Sequence, residues 1–205
     1  ILLGAEWRTT GNNGEGRSPI GGFAGSFDGQ GFDIMNLYIN FDDDYAGLFG
    51  RVDESTAVIK NLGVIDADVT GVEYVGILVG RIEDGAVAMN CHTSGVVKGE
   101  VSVSGLTGRV KADDYIYSSY TTASVYSSGE RAGGFTGANF VGSSVEAVIQ
   151  DCYSTGAVYG AGRVGGFIGN YLTGQIFNSY STGMTLGEDG VGAFVGQFSA
   201  DSASK

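Results

Sequence analysis

Three arginines, Arg51, Arg81 and Arg109, recur 30 and 28 residues apart, and three tyrosines, Tyr120, Tyr153 and Tyr180, recur 33 and 27 apart. A guanidinium offers a planar fork to carboxylates and sulfates. A tyrosine ring suits a partly wet surface that receives a sugar face or another protein. Brought into register, these six residues would form a surface-binding ladder. Each set also has a plainer reading. Acids follow every arginine (Asp53 and Glu54, Glu83 and Asp84, Asp113 and Asp114), so the stripe can neutralise itself. The rings align with Tyr38 and His92, interrupted by Gly63, and stacked rings stabilise a rod without binding anything.

Other groups offer less. Asp42, Asp43 and Asp44 form the densest acid run. Calcium prefers oxygens at spaced loop positions, so a solvated loop is expected there, with calcium as the alternative. Gly29-Gln30-Gly31-Phe32-Asp33 is a single copy of a calcium-repeat-like tract, whose sites need several stacked copies. Gly160 to Gly165 satisfies the dinucleotide fingerprint only in its letters, because a strand rather than a helix is expected to follow. Thr122, Thr155 and Thr182, with Ser94, form a short hydroxyl ladder of ordinary strand residues. No convergent catalytic set emerges, so neither enzymatic activity nor a cofactor is expected.

Charge and cysteines narrow the partners. The chain has 205 residues, with 11 Lys plus Arg against 23 Asp plus Glu, a net charge of −12. Nucleic acid and anionic membranes want a basic face, and none is present. No apolar run is long enough to span a bilayer. The start at Ile1, without methionine or leader, suits a mature or excised fragment.

The elements that must position these residues come from a repeat. Glycine makes up 37 residues and proline one, which excludes collagen, while 11 Tyr and 11 Phe are too many for a disordered tail. A frame of two small residues, an apolar residue, any residue and glycine ends at Gly25, Gly50, Gly80, Gly108, Gly137, Gly169 and Gly196. A second motif follows most copies, as in IKNLGVI from Ile59 and IFNSYST from Ile176. These short apolar segments between glycine and Asn/Ser turns read as strands. One unit cannot bury its face alone, but stacked units can. The expected core ladder is Phe23, Leu48, Leu78, Leu106, Phe135, Phe167 and Phe194, and a second runs Ile34, Ile59, Ala88, Ile116, Ile149 and Ile176. Asn36, Asn61, Asn90, Ser118, Asp151 and Asn178 should line a bend, with glycines supplying positive φ at the corners. Cys91 and Cys152 fall two coils apart, ~9.6 Å, beyond the reach of a disulfide, so both should be free buried thiols.

The tract GGFAGSFDGQGFDIMNLYI, then YAGLFG, IKNLGV, GGFIG and IFNSYSTG, resembles bacterial GLUG-motif repeat proteins over residues 18 to 197. Similar repeats occur in the N-terminal regions of bacterial IgA-specific metallopeptidases and in secreted, adhesin-like proteins. The resemblance implies an all-β, right-handed parallel β-solenoid outside the cell, and no single activity. The metallopeptidase chemistry would need an H-E-x-x-H helix, and the only histidine is His92.

The expected organisation is an N-terminal cap over 1–20, about six coils of ~28 residues over 21–196, and a polar tail over 197–205. The expected role is a non-enzymatic extracellular structural or adhesive module. Its partners would be itself, stacked end to end into a filament, other surface proteins, or glycans. Carbohydrate binding or polysaccharide cleavage on the β-helix is the alternative.

Overall fold

The computed structural model describes residues 8–10 (backbone alone), 22–139 and 146–199. Most of the expected cap, and the tail from residue 200, lie outside the described residues. Among these residues there is no helix, and every strand pair is parallel. Six short strands form one sheet in strict coil order: Phe49–Val52, Val79–Ile82, Thr107–Val110, Thr136–Asn139, Ile168–Tyr171 and Val195–Phe198. The rest of each coil forms a second, wrapping sheet that includes Val58–Thr70, Val87–Gly99, Ser124–Gly133, Val158–Gly165 and Thr185–Gly192. The protein is therefore a parallel β-solenoid. Its last short strand runs through residues 197 and 198 of the expected tail, and Ser199 still donates its N–H to the Tyr171 carbonyl.

Register follows from what must be buried. Leu48, Leu78, Leu106, Phe135, Phe167 and Phe194 each precede a paired position of the short sheet, so they stack in one column. The first five are 0–1% exposed. Burying each such side chain is worth about 1.5–3 kcal/mol. Phe135, Phe167 and Phe194 lie ring on ring at 4.7 and 4.8 Å.

The first unit departs from the expected alignment. Phe23 bridges to Val52, not Leu48, and leans on Phe49 at 59°. Phe27, not Ile34, stands on Ile59 in the second ladder, while Ile34 pairs with Val64. Tyr38 pairs with Asp68 and so lies outside the ring column, whose first two places belong to Asp33 and Gly63. Asn36 sits at the next corner along, beside Asp66. The cause is a register irregularity between Asp28 and Phe32, where Gly29 to Gly31 add length that the later coils lack.

The corners also differ in composition from the expectation. Positive φ falls mainly on other residues: Asn61, Asn90, Ser118, Asp151 and Asn178 at one corner, and Tyr45, Tyr74, Ser102, Arg131 and Arg163 at another. Short polar side chains tolerate this region by bonding locally. These side chains also bond from coil to coil: Asn61 Nδ2 donates to Asp28, Asn90 Nδ2 to Asn61, and Asn178 Nδ2 to Asp151, each at 3.0–3.1 Å. Glycine serves mainly to let coils approach. A Cβ on Gly108 would lie 2.4 Å from the Tyr74 carbonyl carbon, and one on Gly156 would lie 1.8 Å from the Ala123 oxygen.

Candidate functional site

The arginine stripe forms as a column, with Arg51 beside Arg81 and Arg81 beside Arg109. Its charge is answered from within. Glu83, 1% exposed, ion-pairs with the Arg51 Nε, with Arg81 at 2.5 Å and with Lys111 at 3.4 Å. Tyr45 and Tyr74, stacked at 5.4 Å, bring their rings to the guanidinium carbons: Arg81 at 5.9 and 5.7 Å, and Arg109 over Tyr74 at 5.2 Å. Burial and the neighbouring Arg81 lower the pKa of Arg109. Burial opposes the charge on Arg51, but the Glu83 carboxylate outweighs it and raises the pKa. Arg51, 44% exposed, makes both of its ion pairs through Nε, and Arg109 donates to the Tyr74 hydroxyl at 3.2 Å.

The ring column also forms, as His92, Tyr120, Tyr153 and Tyr180, with centroids 5.0, 4.7 and 5.1 Å apart and planes within 13°. At that spacing the faces of the inner rings are turned to one another. A sugar ring needs a free face, and the inner rings offer only edges and hydroxyls. Burial, then Tyr120 and Tyr180, raise the pKa of Tyr153. At one end of the column Tyr180, 51% exposed, has no described ring on its outer face. At the other end, His92 Nε2 lies 3.3 Å from Asp33 Oδ1, across the coil that carries Gly63. A Cβ on Gly63 would stand 2.0 Å from that oxygen, so its lack of a side chain permits the contact.

A third surface lacks any motif in the sequence. Thr70, Lys98, Tyr126, Tyr159 and Leu186 share one register position. Tyr126 and Tyr159 stack at 4.9 Å and 6°. With Lys98, Gly99, Ser127, Ser128 and Gly160 they line an open groove of about 390 Å³. A register irregularity lies beside it, between Ser127 and Glu130. The clue in sequence is that Tyr126 and Tyr159 each follow a ring-column tyrosine, Tyr120 and Tyr153, by six residues, hidden because Lys98 and Leu186 break the residue type.

The remaining candidates are placed as follows. Asp42 and Asp43 face solvent, and no three His, Cys, Asp or Glu side chains gather among the described residues. Burial, then Glu73 and Asp43, raise the pKa of Asp44. Gly160 to Gly165 lie within the strand Val158–Gly165. Thr122, Thr155 and Thr182 are exposed at successive coils, while the buried hydroxyls beside them belong to Thr93, Thr121 and Ser154. Cys91 and Cys152 are free and buried, with Ser119 between them, and burial raises their pKa values to about 11 and 12. Asp114, wholly buried, accepts N–H bonds from Gly85, Ala86 and Lys111 at 2.9–3.2 Å, yet burial still lifts its pKa to about 7. That carboxyl ties two coils together at a turn.

A family model described as the GLUG motif matches residues 160–187. Halomucin of Haloquadratum walsbyi (strain DSM 16790 / HBSQ001) is 35% identical over 143 residues, which is 67% of this chain and 2% of that protein. A crystal structure from Bacteroides ovatus, of a protein provisionally described as an immunoglobulin A1 protease, superposes with a TM-score of 0.69 at 26% identity. The match covers 82% of this chain and 55% of that one. The chain thus spans only part of the proteins it is similar to.

Proposed function

We propose, for a chain built of GLUG-motif coils, that it is a rigid, non-catalytic module of a secreted or cell-surface protein, a segment that spaces or presents adhesive surfaces. One observation carries this reading: the chain's polar and aromatic ladders are used coil against coil. Glu83 holds Arg51, Arg81 and Lys111, and each inner ring of the His92 to Tyr180 column is covered by its neighbours. Such contacts stiffen a rod and leave few groups for turnover. The similarity to halomucin supports a surface location. Protease added to intact cells that make the protein should remove it while cytoplasmic markers survive. Full protection until lysis would refute the surface reading.

The groove at Tyr126 and Tyr159 favours a second reading, glycan binding. It is apolar and open, and it ends at Lys98, which also pairs with Asp68 at 3.3 Å. On a glycan array, Tyr126→Ala and Tyr159→Ala should each abolish any signal, while Tyr120→Ala should not. Binding that survives both changes would remove this groove from consideration.

A further inference from the structure

Tyr126 and Tyr159 have a freedom that the other stacked tyrosines lack. They share one register position on neighbouring coils, with centroids 4.9 Å apart and planes within 6°, so like ring atoms face one another. Tyr126 is 43% exposed. Along the column the next residues on either side are Lys98 and Leu186 rather than further rings. The groove of about 390 Å³ beside the pair leaves the phenols room to tilt. In the His92 column Tyr153 lies between Tyr120 and Tyr180, so closing one gap would open the other. Tyr45 and Tyr74 are held by the Arg81 and Arg109 guanidiniums.

We propose that Tyr126 and Tyr159 are an oxidative modification site, coupled by a haem peroxidase and hydrogen peroxide into a dityrosine that staples two coils. The oxidised haem takes one electron and one proton from each phenol, leaving two tyrosyl radicals. Their facing ortho carbons join in a new C–C bond, and the hydrogen on each of those carbons moves to the phenol oxygen. In all, the pair loses two electrons and two protons, which convert the peroxide to two waters. The backbones stay one coil apart, ~4.8 Å, so only the ring tips need to close. The staple joins residues 33 apart in sequence and closes that loop in the unfolded chain, which favours the folded rod. Exposure to such an oxidant rests on the secreted or cell-surface reading, whereas the coupling rests on the ring geometry alone.

Treating the whole folded chain, at high dilution, with a haem peroxidase and limiting hydrogen peroxide tests it. The product should keep the mobility of one 21.1 kDa chain, show the blue fluorescence of dityrosine and weigh two hydrogens less. Trypsin should release the peptides 112–131 and 132–163 joined, with fragmentation placing the link at Tyr126 and Tyr159. The melting temperature should rise by roughly 7–15 °C, as expected for closing a loop of this length. Tyr159→Phe keeps the stacked ring, so it should fold as the parent does and lose the fluorescence, while Tyr120→Phe should retain it. No dityrosine, links only between chains, fluorescence that survives Tyr159→Phe, or a stapled product that melts no higher would each overturn the proposal. Such a failure leaves the surface reading standing, since protease treatment of intact cells decides that separately.

Discussion

Replacing Glu83 by Gln keeps the shape of a buried side chain and removes the charge that Arg51, Arg81 and Lys111 share. Breaking a buried pair costs ~3–5 kcal/mol, because the partner charge is left desolvated. Two partners can recover water, since the Arg51 and Lys111 side chains are 44% and 28% exposed. Arg81, at 17%, cannot readily do so, and the Tyr45 and Tyr74 rings hold it in place. The loss should therefore sit at the low end, about 3 kcal/mol. For a chain of this size that lowers the melting temperature by roughly 6–12 °C. Repeat rods can unfold in parts, so hydrogen exchange should accompany the melt. Amides of Val52, Ile82 and Val110 should lose protection, and those of Ile168 and Val195 should not. Arg51→Gln, which removes the most exposed partner, should cost less than ~1 kcal/mol. A melting temperature within ~1 °C of the parent, with exchange unchanged around residue 82, would refute the view that the arginine stripe is held internally.

Four further outcomes follow from the same geometry. Asp114 has a folded pKa raised from 3.8 to about 7 by burial, so the native state binds a proton that the unfolded chain has released. Its stabilisation is complete below pH ~4 and fades as pH rises to ~7, by on the order of 4 kcal/mol, and Asp114→Asn should flatten that part of a stability–pH curve. Gly108→Ala places a Cβ 2.4 Å from backbone and should cost ~3 kcal/mol or prevent folding, while Gly162→Ala meets only the Glu130 Cγ at 3.8 Å and should change stability by less than ~1 kcal/mol in urea titrations. Cys91 and Cys152 should ignore a thiol reagent at pH 8 until denaturant is added, and prompt labelling of the native protein would contradict their burial. Phe167→Ala opens a cavity between Phe135 and Phe194 and should cost ~3–5 kcal/mol by thermal melting, with a loss under ~1 kcal/mol counting against the column.

The coil was legible in sequence because its constraint repeats with every turn. A large apolar residue beside two small ones must recur wherever a side chain fills the core while backbone packs against backbone. The same logic gave the Tyr120, Tyr153 and Tyr180 column, in which one residue type persists across adjacent coils. Legibility failed where a local irregularity changed the count. Gly29 to Gly31 lengthen the first unit, and the Ile34-Met35-Asn36 triplet imitates the Ile59-Lys60-Asn61 corner from the wrong place. It failed again where a contact skips a coil, as between Asp33 and His92 over Gly63. Glu83 looked like one of several surface acids, and only the turn of the chain reveals that it is buried beneath three cations.

The stacked register is tested most directly by pulsed electron resonance between nitroxides at positions 60 and 177. Lys60, Met89, Tyr117, Gln150 and Phe177 share one ladder position, so the two sites lie four coils apart. At ~4.8 Å per coil their separation should be narrow and centred near ~19 Å, widened only by the label arms. A broad distribution, or one centred beyond ~30 Å, would contradict the solenoid and every surface built on it.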